Sequence, residues 1–378
     1  MARRTGLVWH ELFMWVHHGK HAGIVAADYP VQPGRHHENP ETKRRLKNLL
    51  DASGFTDKLI PIRPRPASRD ELARVHTPPY LDIVDTMNDE LAGIVGHDSE
   101  VTKGGVDIAK LAAGGCLAAV DAIMAKSVDN AYALVRPVGH HAEPDAGKGF
   151  CVFSNPSLAA AHALQKHGLA RAAIVDIDVH HGNGAEAVWW KDPRVLTISV
   201  HQAGWFPPGR GDLSARGEGP GFGTNINIPL PAGSGIGAYQ AVFDRVIIPA
   251  LERFQPEFLI VPCGYDAAAH DQLGRMMLDS GAYRDLARGF VEFADANCNG
   301  RLLITHEGGY NEAMVPFLGM AVLESMSGLE SGVVDPHQGF FRDAPGQELL
   351  PHQSAVIAEA EKFLADVPRP RRSELATA

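Results

Sequence analysis

The sequence predicts an α/β fold in which helices cover both faces of a mostly parallel sheet. Three observations predict it. Short runs rich in Val, Ile and Leu alternate with helix-length amphipathic runs along the 378 residues. The short runs are continuously apolar, as strands buried on both faces are. Polar, chemically capable residues collect just after their carboxyl ends, where ligands bind in such sheets.

Taken in chain order, the first strand pattern is Gly6–His10. A helix follows at Pro40–Ser53, where Pro40 and Glu41 mark a helix start. Gly104–Lys126 reads as a helix, Ala131–Arg136 as a strand and Ser157–His167 as a helix. Ala172–Ile177 and Val195–His201 read as strands. The Gly/Pro-rich stretch Gly204–Gly223 reads as a long loop of the kind that frames a site. Gly235–Phe254 is a helix pattern, Phe258–Cys263 a strand, Gly281–Asn297 a helix, Leu302–His306 a strand and Asn311–Met326 a helix. No linker divides them, so one domain is expected over 1–367. A polar, frayed tail is expected over 368–378.

Composition narrows the function. The formal net charge is −10, which argues against a protein that mainly binds a nucleic-acid backbone. Four widely spaced cysteines, with no CxxC pair, read as reduced, buried thiols. Glu11, His17 and His18 interrupt any apolar leader, and no run of about 18 apolar residues appears. The expectation is a cytoplasmic protein without a membrane span. The long rim loops are candidates for a homo-oligomer contact.

The most informative segment is Asp176-Ile177-Asp178-Val179-His180-His181-Gly182-Asn183-Gly184. Asp178 and His180 are two apart at a strand end, so they share a face. Asp266 lies at another strand end, in Cys263-Gly264-Tyr265-Asp266-Ala267. Two carboxylates and one imidazole leave a position open for water, as a catalytic zinc site does. Oxygen and nitrogen ligands also admit Fe2+, Mn2+ or Co2+. So many acids and imidazoles after a buried strand would be costly for structure alone. Asp176 reads as a supporting carboxylate that orients a histidine or, with Ser199 and backbone carbonyls, binds a monovalent cation. Adjacent histidines usually mark a solvated loop. Beside a metal rim, one of His140 and His141 can move the proton of a water and the other can stay charged. Asn183 is a suitable orienting partner. A tyrosine near a strand end is more often packing. Next to a metal, the O–H of Tyr310 is a natural donor to an oxyanion. Gly149-Phe150-Cys151 and Trp205-Phe206 place aromatics where they can wall a channel.

This set of motifs resembles the histone deacetylase family. The resemblance runs from about Pro40 to about Leu323. It rests on Gly139-His140-His141-Ala142, Gly149-Phe150-Cys151-Val152-Phe153-Ser154-Asn155, the 176–184 segment, Ile226-Asn227-Ile228-Pro229-Leu230, Gly264-Tyr265-Asp266-Ala267 and Glu307-Gly308-Gly309-Tyr310, in family order. Asn183, where class I enzymes carry Asp, makes the chain look like class II and the bacterial amidohydrolases. The resemblance implies a three-layer arginase/deacetylase-like fold, with a central mostly parallel sheet of about eight strands. It implies zinc on Asp178, His180 and Asp266, His141 as general base and acid, His140 with Asp176 as electrostatic partner, and Tyr310 polarising the carbonyl. It implies a channel for an acyl-lysine between Phe150 and Phe206, with Gly149 and Gly308 alongside, and Asp98 at the rim holding the substrate backbone. It also implies structural potassium, one ion at Asp176 and Ser199 and one at Trp189, Asp192 and Val195.

Three departures, Val138 for Pro, Ser154 for Asn and Tyr265 for Phe, remove no reacting group. A fourth bears on substrate. Polyamine deacetylases of the family carry a gatekeeper Glu seven residues after the last metal Asp, and here that residue is Leu273. A Leu favours an apolar acyl-lysine chain over a cationic polyamine. The expected reaction is removal of an acetyl or similar small acyl group from an amine, most plausibly an Nε-acyl-lysine. The alternatives are a small-molecule amidase and a non-catalytic acyl binder. The binder would be expected to lack His141, Tyr310 or a metal ligand, and all are present. A two-manganese arginase-like site would need more acidic and His ligands.

Overall fold

The computed structural model describes residues 2–19, 21–27, 29–89 and 93–370. Of the expected tail, residues 371–378 lie outside the described residues. Eight strands form the central sheet: β1 (Thr5–Val8), β2 (Ile60–Ile62), β3 (Asn130–Ala133), β4 (Ala172–Asp176), β5 (Val195–Gln202), β6 (Asn225–Leu230), β7 (Phe258–Cys263) and β8 (Leu302–His306). Their spatial order is β6-β5-β4-β7-β8-β3-β1-β2. Every pairing is parallel.

The period-two geometry of a strand splits the apolar residues between the two faces. In β4, Ala173 and Val175 join one apolar cluster, and Ala172 and Ile174 the other. The first cluster takes in Leu46 and Leu50 of helix Glu41–Ala52, Phe290 of helix Ser280–Asn297 and Leu318 of helix Val315–Ser327. The second takes in Leu117 and Val120 of helix Gly105–Met124 and Leu158 of helix Asn155–Gln165. The result is helix, sheet, helix: the three-layer arginase/deacetylase-like fold.

The six expected strands and six expected helices are all present, with shifted ends. β1 stops at Val8 because His10 caps a short 3-10 helix, Glu11–Trp15, by accepting from the Leu12 N–H. The helix pattern at 235–254 forms as Ile236–Val242, a π turn at Phe243–Ile247, and Ile248–Phe254. Pro249 lacks the N–H that a regular α-helix would use there, which suits a local π turn. Two strands, β2 and β6, went unread as strands. Both are sheet edges, and both carry proline (Pro61, Pro229), which an edge tolerates and a central strand does not. The apolar run that marks a buried strand is broken at these positions. All four cysteines are buried and unpaired. No described helix is long and apolar enough to cross a membrane.

The topology places the site. After β4 the chain goes to β5 and β6 on one side, then returns to β7 on the other side of β4. The strand order therefore reverses between β4 and β7, and a crevice opens at their carboxyl ends. Asp178 and His180 leave β4 into it, and Asp266 leaves β7 into it.

Candidate active site and metal centre

Asp178, His180 and Asp266 converge, each with a ligand atom within 4.8 Å of the others. His180 Nδ1 lies 3.0 Å from Asp178 Oδ1 and 3.2 Å from Asp266 Oδ2. All three are buried. Backbone donors aim the carboxylates: the Gly308 N–H donates to Asp178 Oδ2 (2.9 Å) and the Val179 N–H to Asp266 Oδ1 (2.9 Å). Asp266 Oδ2 is buried with no hydrogen-bond partner. Burial, reinforced by the Asp178 carboxylate, pushes Asp266 up to about 7. Two buried carboxylates side by side cannot both stay ionised without a cation between them. Glycines keep the space open. A Cβ on Gly308 would sit 2.1 Å from Asp266 Oδ2, and one on Gly264 would sit 2.1 Å from Asp178 Oδ2. The donor set, its charge and the orphaned oxygen fit a divalent cation.

The tandem histidines are 3.8 Å apart between ring centroids, yet their environments separate them. His140 donates Nδ1–H to Asp176 Oδ2 at 2.9 Å. Burial opposes its charge, but the Asp178 and Asp176 carboxylates outweigh burial and push it up to about 10. His141 is pulled well below the ordinary imidazole range by burial, with His140 and His180 adding repulsion. Its tautomer follows from its neighbour. Asn183 Nδ2 donates to the Glu143 carboxylate (2.7 Å) and to the His141 carbonyl (3.0 Å). The amide oxygen therefore faces His141 Nδ1 at 2.7 Å, so Nδ1 carries the hydrogen and Nε2 keeps its lone pair. One histidine is a held charge and the other a neutral base, the split that acid–base pairs need.

A cavity of about 250 Å3 leads to this point. Phe150, Phe206, Trp205, Leu273 and Ile24 give it apolar walls, with Gly149 beside Phe150. His141, His180 and Tyr310 line it as well, and Asp98 stands at its rim with its side chain 49% exposed. The Phe206 centroid is 4.9 Å from that of His141 and 6.0 Å from that of His180. The Phe150 N–H donates to the Asp98 carbonyl at 2.7 Å, tying channel wall to rim. Burial holds the Tyr310 phenol protonated.

The expected residues thus assemble around one cavity. The residues assigned to potassium lie behind it or away from it. Asp176 and Ser199 are register partners on β4 and β5. Asp176 Oδ1 accepts from the Asp178 N–H, and Ser199 Oγ accepts from the Gly182 N–H. Trp189, Asp192 and Val195 lie at the opposite end of β5, where Arg194 already pairs with the Asp192 carboxylate at 2.6 Å.

Three contributors were missed. Asp271 accepts from the Tyr310 N–H (2.7 Å, Oδ2) and the Leu273 N–H (2.8 Å, Oδ1), so one carboxylate ties the tyrosine to the channel wall. Glu307 Oε2 accepts from the Gly139 and His140 N–H groups at 2.8 and 3.1 Å. Ile24 reaches the channel from a distant loop. The acids stood in view beside recognised motifs. Nothing local distinguished Ile24.

The histone deacetylase domain model matches residues 36–326. The chain belongs to the histone deacetylase family. It is 44% identical over 361 residues to the histone deacetylase-like amidohydrolase of Pseudomonas aeruginosa, covering 92% of this chain and 95% of that protein. It is 34% identical to a probable deacetylase of Archaeoglobus fulgidus, covering 92% and 96%. The crystal structure of the HDA15 HD domain superposes with a TM-score of 0.82 at 29% identity, covering 95% of each chain. Membership makes this a metal-dependent deacetylase or amidohydrolase of acylated amines.

Proposed function

We propose that this deacetylase uses zinc to remove acetyl or other small acyl groups from Nε-acyl-lysine side chains. The observation that carries the reading is His141 facing an apolar channel together with Tyr310, with the charged His140 stacked behind it. Asp178, His180 and Asp266 would hold the ion. Zinc, when bound, supplies a Lewis acid that polarises an amide carbonyl and lowers the pKa of water from about 15.7 towards about 7. Fe2+, Mn2+ and Co2+ fit the same donors.

The chain's own residues do the rest. His141 Nε2 accepts a proton from the attacking water and returns it to the leaving amine nitrogen. His140 keeps its charge near the developing negative charge. Tyr310 donates its O–H to the carbonyl oxygen as it becomes an oxyanion. Phe150 and Phe206 grip the aliphatic chain, and Asp98 holds the backbone at the rim. Potassium at the Asp176–Ser199 pair would brace the β4 end behind the histidines; a second ion at Trp189, Asp192 and Val195 would need backbone carbonyls, because Arg194 holds both Asp192 carboxylate oxygens. Leu273 supports an apolar chain over a polyamine. Side-by-side turnover of an acetyl-lysine peptide and acetylputrescine tests the reading. Faster acetyl-lysine turnover is expected. A strong preference for acetylputrescine would overturn the substrate class.

A further inference from the structure

Beside the channel lies a second cavity of about 270 Å3, walled by His18, His21, His36, His97, Asp98 and Glu100. It shares Ile24, Asp98 and Phe150 with the channel. The Phe150 ring is the common wall. Its centroid is 6.3 Å from that of Tyr310, and 5.4 and 5.1 Å from those of His18 and His36.

Four imidazoles suggest an anion site, but the hydrogen bonds indicate the opposite. Glu38 is ionised: burial opposes its charge, yet Arg136 and His18 hold it well below the ordinary carboxylate range. Arg136 binds it with two hydrogen bonds of 2.7 Å. His18 therefore donates Nε2–H to Glu38 Oε2 at 2.5 Å. Its Nδ1 is buried without a partner. His36 sits 2.9 Å from the Glu38 carbonyl through Nδ1. A carbonyl only accepts, so Nδ1 carries the hydrogen and Nε2 keeps a lone pair. Burial, with repulsion from His18, holds His36 down at about 4, so it is neutral near pH 7. His21 Nδ1 is also buried and unpartnered, and its Nε2 is 3.8 Å from Glu100 Oε1.

The cavity thus offers the His36 Nε2 lone pair, the Phe150 ring and two carboxylates, Glu100 and Asp98, whose ion-pair partners among the described residues are His21 and His97. That is the chemistry that recognises a protonated amine. A bare divalent ion fits less well. Among the described residues, the groups that bring three ligand atoms within 4.8 Å of one another are Asp178–His180–Asp266 and Asp121–His162–His167. The histidines of this cavity are not among them.

We propose that this cavity binds an alkylammonium group of the substrate, next to the acylated amine held in the channel. The proposal rests on the amide-hydrolase reading above, because it uses the same channel. A lysine beside the acyl-lysine of a peptide and the free ammonium of a partly acylated oligoamine carry the same group.

The test compares acetyl-lysine peptides with lysine or norleucine at the neighbouring position, and mono-acetylated spermidine as a third substrate. The wild-type protein is expected to favour the lysine peptide by about tenfold in kcat/KM, carried by KM, as for one charged hydrogen bond. Glu100 is partly exposed, with its side chain at 31%, so Glu100→Gln spares the core. In Glu100→Gln and His21→Phe the ratio should fall to about one. A Glu100-dependent preference confined to the spermidine arm assigns the site to small amines. One confined to the peptides assigns it to lysine-rich segments. No preference in any arm, or one unchanged in both variants, overturns the site. If no amide is cleaved, the hydrolase reading fails. Calorimetric affinities for the same three compounds still report the ammonium preference.

Discussion

Among the described residues, two places bring three ligand atoms within 4.8 Å of one another, and one of them is built to hold a metal. Asp178, His180 and Asp266 meet at the strand ends; Asp121, His162 and His167 meet between two helices. The difference lies in who already holds the lone pairs. At the helix cluster, the Lys166 ammonium sits 3.0 Å from both Asp121 oxygens. Arg74 donates to His162 Nδ1 at 2.8 Å. A guanidinium only donates, so His162 must carry its hydrogen on Nε2, which it gives to Asp121 Oδ1 at 2.9 Å. The His162 nitrogens and the Asp121 carboxylate, which also accepts from His167 at 2.8 Å, are already engaged there. At the strand ends, Asp266 Oδ2 is buried and unclaimed, and glycines hold the space open. Proximity of ligand atoms does not make a metal site; a buried ligand oxygen left without a hydrogen bond marks one.

The sharpest way to break this contrast is Asp266→Ala against Asp121→Ala. The first should abolish bound zinc and lower kcat/KM by more than the roughly 10–100-fold that a supporting partner costs. The second should leave metal stoichiometry unchanged by elemental analysis. Equal losses of zinc in the two variants would remove the distinction. Next in size, Tyr310→Phe should lower kcat by about 10²–10³-fold, or about 3–4 kcal/mol, with zinc content intact. Unchanged turnover of an acetyl-lysine amide would end that role. Asp176 Oδ1 accepts from the N–H of the metal ligand Asp178, so Asp176→Asn loosens that ligand and should weaken metal affinity about 10–100-fold, read by competition with a chelator. An unaltered chelator titration would mean that Asp176 does not support the site.

The smallest effect belongs to the helix cluster. Burial opposes the Asp121 charge, but hydrogen bonds from His162, His167 and Lys166 outweigh it and hold the carboxyl at about 2. A depressed carboxyl stabilises the fold above its unfolded value of about 3.8, and that contribution is lost as pH falls through about 2. The group is partly exposed, so the contribution is below about 1 kcal/mol after screening. Asp121→Asn should flatten the acid limb of the stability–pH curve between about pH 4 and 2. An acid limb identical to wild type would show that the cluster contributes nothing.

Much of the site was readable because its chemistry is concentrated in short segments. Asp178 and His180 share a strand end, and His140 and His141 are adjacent. The central strands were readable because burial on both faces demands continuous apolar runs. The edge strands were not, since Pro61 and Pro229 are tolerable only where one side needs no ladder partner. Asp271 and Glu307 were visible as acids but not as braces, because a hydrogen bond to a distant N–H leaves no mark on spacing. The histidine cavity is the extreme case. His36 and Glu100 lie far in sequence from His18 and His21, and the His18 hydrogen-bond direction exists only once Glu38 meets Arg136.

The sequence by itself determined the fold class and the family and named the groups proposed to react, because periodicity and residue chemistry are local properties. Tertiary structure alone decided three things: which cluster of ligands stays unclaimed, which of the two adjacent histidines is charged, and where an ammonium can lie beside the channel. Each depends on hydrogen-bond partners and burial supplied by residues far away in the chain, and electrostatics inside a protein is set by those neighbours rather than by residue type.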